Sequence, residues 1–147
     1  MHRFTRMGTA SLLLALASHA AAAPEDDIRY RKSVMTALAG HAGAIQLIFT
    51  GKVAHQDALL GHAEALASAG AELSALFPPG SGTGKTDALP LIWEDAAGFR
   101  KAAEAGRDAT AALREAVKSG DKAAIAKALK PAFDSCKGCH DRYRKEE

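Results

Sequence analysis

The sequence predicts an all-α fold, an antiparallel four-helix bundle. Apolar residues recur at steps of three and four, which keeps them on one face of a helix. This pattern occurs four times along the chain, mostly with short connections, as in a bundle of antiparallel helices. No segment shows convincing alternation of apolar and polar residues with period two, so we expect no sheet.

The first 22 residues, ahead of the helices, have the layout of a secretory signal peptide. Arg3 and Arg6 precede the apolar run SLLLALA, and small residues follow up to Ala22 or Ala23. That run is about half of the roughly 20 apolar residues that a membrane span needs. We therefore expect one domain, residues 23–147, that is exported to a bacterial periplasm and is not inserted in the membrane after signal cleavage.

The charge balance gives no support for nucleic-acid binding. The full chain has 19 Lys and Arg against 17 Asp and Glu. Without Arg3 and Arg6, residues 23–147 have 17 of each, so their formal net charge is zero with histidine neutral. The basic pI of the whole chain is therefore no sign of a polyanionic partner.

The first two helices are predicted from their apolar stripes. One stripe follows the acidic segment PEDDI, whose charges suit a helix N-terminus, and consists of Met35, Leu38, Ala42, Ile45 and Phe49. The other consists of Leu59, His62, Leu66, Ala69, Leu73 and Leu76. We expect this second helix to stop at Pro78 and Pro79.

Two further stripes predict the third and fourth helices. The third consists of Phe99, Ala103, Gly106, Thr110, Leu113 and Val117. It should end at Gly120, and Asp121 should cap the next helix. The fourth consists of Ile125, Leu129, Phe133, Cys136, His140 and Tyr143. Pro131 lies inside it, so we expect a kink or break there.

The predicted interior is short of large side chains. Alanine dominates the stripes, and residues 23–147 contain seven aromatic residues: four Phe, two Tyr and Trp93. Such a core either lets the helices approach closely or leaves space for a large planar cofactor.

The motif CKGCH contains the only two cysteines of the chain, Cys136 and Cys139, followed directly by His140. It matches the C-x-x-C-H signature of covalent haem attachment. On a helix the two thiols share a face, and His140 lies one turn beyond Cys136. Each thiol can bond a haem vinyl group while the imidazole binds the iron as proximal ligand. We expect one covalent haem c.

Three other roles of this motif remain open from the residues alone. A structural zinc site needs four ligands, and the motif supplies three. A redox disulfide would normally accompany a βαβ pattern, which the sequence lacks. A structural disulfide suits an oxidising compartment but gives no role to His140.

The chain resembles the class II c-type cytochromes, the cytochrome c' family. Its segments PEDDIRYRKSVM, LFPPGSG, LPLIWEDAAGFRKAAE and CKGCHDRYRK are similar to the first helix, a loop, the third helix and the haem-binding end of that family. The resemblance covers essentially all of residues 23–147. It implies that Arg31 lies near the haem propionates and that Arg144 lies on the proximal side. Both could instead be ordinary solvated cations.

Within this family, the residue on the distal side of the iron separates two functions. An apolar residue leaves the iron five-coordinate and able to bind small gases, whereas methionine makes a low-spin electron carrier. The resemblance puts Met35, the only methionine of residues 23–147, at this position. Met35 could also simply fill the core. Among His41, His55 and His62, only His62 lies centrally on an apolar stripe and competes as a ligand.

The segment PGSGTGKT superficially resembles a phosphate-binding P-loop. The first glycine of that motif is replaced here by Pro79, and no strand is predicted before it. We interpret it as a flexible helix connection.

The sequence thus predicts a periplasmic monohaem electron-transfer protein, not an enzyme, with His140 and Met35 as iron ligands. Its partners would be periplasmic redox proteins, and the family resemblance suggests a homodimer through the first two helices. A five-coordinate gas-binding or gas-sensing cytochrome c' is the alternative. A haem-free helical interaction module with a C-terminal disulfide is a third hypothesis.

Overall fold

The computed structural model describes residues 23–146, and the predicted all-α four-helix bundle is confirmed. The expected signal peptide, residues 1–22, lies outside the described residues. The helices are α1 (Pro24–Phe49), α2 (Leu59–Gly70), the short α3 (Leu91–Glu94), α4 (Ala96–Ser119) and α5 (Lys122–Tyr143). A 3-10 turn at Gln56–Ala58 precedes α2. None of the helices in the described part is long and apolar enough to cross a membrane.

The helix ends follow local signals in the sequence. Pro24 opens α1, where its missing N–H costs nothing, and three acidic residues follow in the first turn. The Asp121 carboxylate accepts a hydrogen bond of 2.8 Å from the Ala123 N–H and caps α5, as predicted. Gly120 follows α4 with φ +70°, a left-handed conformation that favours glycine.

The predicted extent of the second helix is wrong, because α2 ends at Gly70 rather than at Pro78. Beyond Gly70 the chain continues as tighter turns. The Glu72 N–H donates to the Ala69 carbonyl at 3.2 Å and the Ala75 N–H to the Glu72 carbonyl at 2.8 Å. Such i→i−3 bonds commonly follow a helix C-terminus. Because the winding persists, Leu76 remains buried.

Of the kink or break predicted at Pro131, the break is wrong, because α5 runs without interruption from Lys122 to Tyr143; the kink stays a prediction. Pro131 and Lys127, the residue whose carbonyl loses its helical donor, are both exposed. Water can therefore satisfy that carbonyl.

Each long helix packs on the next long helix along the chain. Helix α1 packs on α2, α2 on α4, and α4 on α5. Helices α1 and α5 make at most marginal contact across the described residues. The bundle is therefore open between its first and last helices, and the residues of the CKGCH motif lie on one side of this opening.

Two buried apolar clusters hold the helices at their two ends. The larger cluster comprises Ile45, Ile48, Leu59, Ala63, Leu66, Leu113, Val117, Ile125 and Ala132. The smaller comprises Ala88, Ile92, Phe99 and Tyr143, with Phe77, Trp93 and Cys139 packed against it. In the smaller cluster, edge-to-face aromatic contacts link Phe77 to Phe99 at 4.8 Å and Phe99 to Tyr143 at 5.3 Å between ring centroids.

The close approach of α2 to α4 depends on Gly70. A Cβ atom added at Gly70 would lie 2.5 Å from the Oγ1 atom of buried Thr110. Thr110 could not rotate away freely, because this hydroxyl donates to the Gly106 carbonyl at 3.0 Å. Gly70 therefore sets the separation of the two helices.

We expect Gly70→Ala to destabilise the protein by about 1–3 kcal/mol, the usual range for overpacking a core. Gly61→Ala is the matched control, since Gly61 is also in α2 and a Cβ there meets nothing within 4 Å. The control should stabilise the protein by roughly 0.5–1 kcal/mol through helix propensity. Chemical denaturation of both variants measures the difference; equal effects would show that the contact with Thr110 is unimportant.

Candidate haem site

Cys136, Cys139 and His140 lie in the last two turns of α5, next to a clamp that holds the helix end. The residues after α5 pair with the segment before α3 through an isolated antiparallel bridge between Ala88 and Arg144. Flanking this bridge, the Leu89 N–H donates to the Tyr143 carbonyl at 2.9 Å, and the Lys145 N–H donates to the Asp87 carbonyl at 2.8 Å. The clamp fixes the end of α5 against the smaller apolar cluster.

Two cavities lie between α1 and α5, and Met35 and His140 line both of them. The first, called here the Arg31 cavity, has a volume of about 90 Å³. The second, the Leu113 cavity, has a volume of about 130 Å³. Cys139 lines the Arg31 cavity and Cys136 lines the Leu113 cavity. The two thiols therefore face different sides of the space shared by Met35 and His140.

The two cavities differ in polarity. The polar walls of the Arg31 cavity are mostly cationic and hydroxyl groups: Arg31, Lys32, Thr86, Tyr143 and Arg144. The one carboxylate among its walls, Asp87, is paired with Lys32 at 3.7 Å. The Leu113 cavity is almost entirely apolar: Met35, Leu38, Ala39, Ala42, Leu66, Leu113, Ala132 and Phe133 line it together with Thr110, Cys136 and His140. The Thr110 hydroxyl is already bonded to the Gly106 carbonyl. A flat cofactor with one polar edge would suit these surroundings.

The structure brings Met35 and His140 to the same cavities and leaves the other candidate histidines outside. Neither cavity is lined by His41, His55 or His62. His62 instead contacts His41, with their Nδ1 atoms 3.0 Å apart. The partial exposure of Met35, Leu38 and Ala42, predicted as core positions, follows from their place on the cavity walls.

The surroundings of the motif favour uncharged side chains in the absence of a bound ion. Burial raises the pKa of the Cys136 thiol, and burial together with the nearby Cys136 raises the pKa of Cys139. Burial and the charge of Arg144 lower the pKa of His140, against a smaller opposing effect of Asp141. His140 is thus held as a neutral imidazole, the form that binds a metal.

Free thiols, an imidazole and an unsatisfied hydroxyl together fit a haem. Cys136 and Cys139 are both unbonded. Among the described residues, the Tyr143 hydroxyl is the one buried side-chain N or O atom without a hydrogen-bond partner. It lines the Arg31 cavity, beside the cationic groups. A cofactor whose carboxylates lie on this side would supply the missing partner.

Arg31 is a buried structural cation as well as a wall of the cavity. Its side chain donates to the Leu76 carbonyl at 3.2 Å, to the Ser81 hydroxyl and carbonyl at 2.9 Å each, and to the Thr86 hydroxyl at 2.8 Å. Its guanidinium also lies 4.7 Å from the centre of the Phe77 ring. Burial lowers its pKa, with Asp27 opposing the effect. Arg31 therefore is not the ordinary solvated cation considered from the sequence.

The flexible connection predicted for PGSGTGKT is wrong for two of its three hydroxyl residues. Ser81 and Thr86 are buried and bind Arg31, so this loop is fixed to α1. Sequence reasoning missed both residues, and it also missed Tyr143 as a cavity wall. The sequence feature that could have indicated Ser81 and Thr86 is the presence of hydroxyl residues among the glycines, since hydroxyls can accept hydrogen bonds from a buried cation.

Comparisons with known proteins agree with the fold and with the motif. The family model described as Cytochrome C' matches residues 26–144. Cytochrome c' of Pararhodospirillum photometricum is 37% identical over 124 residues, which cover 84% of this chain and 99% of that protein. Cytochrome c' of Alcaligenes xylosoxydans xylosoxydans is 36% identical, covering 86% of this chain and 98% of the relative.

Solved structures of similar proteins include complexes with small gases. A nitric oxide complex of a leucine-to-valine mutant of cytochrome c prime from Alcaligenes xylosoxidans has a TM-score of 0.78 and 36% identity, covering 85% of this chain and 98% of that one. A carbon monoxide complex of a leucine-to-glycine variant has the same values. Cytochrome c' from Rubrivivax gelatinosus also has a TM-score of 0.78, with 34% identity over 83% of this chain and 97% of that one.

We expect Arg31→Met to loosen the loop of residues 76–86, because it removes every hydrogen bond that Arg31 donates there. Each buried acceptor left without a donor costs about 1–3 kcal/mol. Arg29→Met is the control, since Arg29 is exposed and bonds Asp26 within the same helix. Thermal unfolding and limited proteolysis of the haem-loaded variants measure the effect. Cleavage of the loop at the wild-type rate in Arg31→Met would contradict this role.

Proposed function

This chain belongs to the cytochrome c' family, and on that premise we propose that it binds a small gas such as NO or CO at the haem face beneath Met35. Proteins of this family carry a covalently attached haem c, and so does this chain. When bound, the haem supplies an iron that can take a diatomic ligand or change between the ferrous and ferric states. The protein supplies its attachment, the proximal ligand and the surroundings of the open face.

Three residues of α5 hold the cofactor in this proposal. Cys136 and Cys139 form its thioether bonds, and His140 is the proximal iron ligand. Support comes from their free thiols, from the neutral state favoured at His140, and from their place around the two cavities. Arg31, Arg144 and Tyr143 would face the carboxylates of the haem, because all three line the same cavity.

The observation that carries the gas-binding proposal is the apolar lining of the Leu113 cavity. Besides Met35, Cys136 and His140, its walls are alanine, leucine and phenylalanine side chains and a threonine hydroxyl that is already bonded within α4. Such walls suit a small uncharged molecule, and on them Met35 is the side chain that could compete with it for the iron. The NO and CO complexes of similar proteins support the same function.

Electron transfer with Met35 as sixth ligand is the second candidate. The position of Met35 favours this candidate, because Met35 and His140 line the same two cavities. Besides the two cysteines, Met35 is the one side chain on these walls that contains sulfur. A thioether opposite histidine is a known haem ligand and raises the reduction potential. In either case we propose a periplasmic protein that turns over no bound substrate.

Under the gas-binding proposal, the wild-type protein should be high-spin in both oxidation states and should bind CO when ferrous. Met35→Leu conserves volume and apolar character, at a cost of less than about 1.5 kcal/mol. It should therefore leave the spin state unchanged. Met35→Ala should speed CO binding by opening the distal wall. Visible absorption spectra and flash photolysis measure these properties.

His62→Leu is the matched control, since His62 lies in α2 outside both cavities and should change neither spectrum nor CO binding. A different result supports the second candidate: a sharp low-spin spectrum in the wild type that becomes high-spin in Met35→Leu. In that case Met35 ligates the iron and the gas-binding proposal fails.

Covalent attachment is tested separately. Haem staining after denaturing electrophoresis should detect haem on the wild-type polypeptide and none on the double variant Cys136→Ala, Cys139→Ala. The single variants should retain haem through one thioether, with reduced yield. A haem-free wild-type mass from a host with intact cytochrome maturation would contradict the assignment of the two cysteines.

A further inference from the structure

His41 of α1 and His62 of α2 form a pair of imidazoles outside the haem site. Their Nδ1 atoms are 3.0 Å apart, their ring centroids are 5.2 Å apart, and their planes are inclined at 53°. Both side chains are half-buried. Neither lines a cavity next to His140, so the haem does not use them.

We propose that His41 and His62 form a binding site for a divalent transition-metal ion, with Zn²⁺ as its representative. In a neutral hydrogen-bonded pair, one nitrogen donates its proton and the other accepts it. The two nitrogens thus face each other across the space between the rings. A metal ion beside the line that joins them would bond both imidazoles, and the Nδ1 proton would pass through solvent to the Nε2 atom of the same ring.

The separation of the two nitrogens matches what one ion requires. Imidazole nitrogens bind zinc at about 2.0–2.1 Å, which places two of them about 2.9 Å apart at a right angle and about 3.3 Å apart at the tetrahedral angle. The observed 3.0 Å lies within this interval. The separation of the nitrogens therefore changes by only a few tenths of an ångström, but the ion would lie about 1.4 Å from the line that joins them, so both rings must turn toward it.

The helix surfaces beside the pair leave space for the remaining ligands. A Cβ atom added at Gly40 or Gly43 of α1, or at Gly61 of α2, would meet nothing within 4 Å. Between Ser33 and Gln46, α1 contains no Asp, Glu, Lys or Arg, and α2 contains one carboxylate, Glu64. No cation of these segments would repel the ion.

Water would complete the coordination. Within residues 23–146 no group of three or more His, Cys, Asp and Glu side chains is placed to hold a metal ion. The two imidazoles thus provide half of a tetrahedral shell, and imidazole ligands suit Zn²⁺, Cu²⁺ and Ni²⁺. The bound ion would link α1 to α2, so it should stabilise the folded state.

The experiment titrates ZnCl₂ into the haem-loaded, tag-free protein at neutral pH by isothermal calorimetry. Haem attachment occupies Cys136, Cys139 and His140, and zinc changes no oxidation state. We expect one ion per chain and a rise in melting temperature. His41→Gln and His62→Gln retain a hydrogen-bonding side chain but should lower the affinity by more than the roughly 10–100-fold that losing an outer-shell partner costs.

His55→Gln is the matched control, because His55 is exposed ahead of α2 and should bind zinc like the wild type. The proposal is overturned if the wild type binds no zinc, or if His55→Gln weakens binding as much as the other two variants. If His41→Gln or His62→Gln does not fold, the melting temperatures of the wild type and of His55→Gln, measured with and without zinc, still test the proposal. If zinc changes neither melting temperature, the proposal is overturned.

Discussion

The constraint on which this structure depends is that α1 and α5 must lie side by side without packing together. The other neighbouring long helices pack directly on one another, and α2 and α4 approach closely at Gly70. A haem has to fit between the first and the last helix, so the contacts that hold these two must come from elsewhere. At one end the larger apolar cluster contains residues of both helices. At the other end the smaller cluster holds α5, and the hydrogen bonds of Arg31 hold α1 to the loop of residues 76–86.

The same constraint explains why the sequence predicted some elements well and others poorly. The stripe of α4 was predicted residue by residue, and all six of its positions are buried. Helix α4 packs on both α2 and α5 and its apolar face is buried throughout, so periodicity describes it well. The stripe of α5 was less accurate, because Cys136 is exposed and Leu129, Phe133 and His140 are only half-buried. Periodicity marks the face that is apolar, without distinguishing protein neighbours from a cofactor.

The residues of the haem site likewise include some that the sequence predicts and some that it does not. The motif CKGCH could be recognised because thiols three apart and an adjacent imidazole serve few other purposes. The loop contacts of Arg31 could not be predicted, because Ser81 and Thr86 are about 50 residues away from it and belong to a glycine-rich segment without periodicity. A buried cation and its acceptors are matched only by the folded chain. The end of α2 could not be predicted for the same reason, because the chain that follows α2 is bound to Arg31 through the Leu76 carbonyl.

Arg31 also bears on the chemistry at the iron, because Arg31 and Met35 are four residues apart on one face of α1. The loop holds Arg31 through several hydrogen bonds, which fix α1 to residues 76–86 at this point. In the proposed site, this polar anchor one helical turn away would help to set how closely the Met35 sulfur approaches the haem. A methionine in this position acts as a ligand only if α1 lies close enough, and otherwise serves as an apolar wall. Under either proposed function, the identity of residue 35 and the anchoring of α1 would together decide whether the iron is six-coordinate or free to bind a gas.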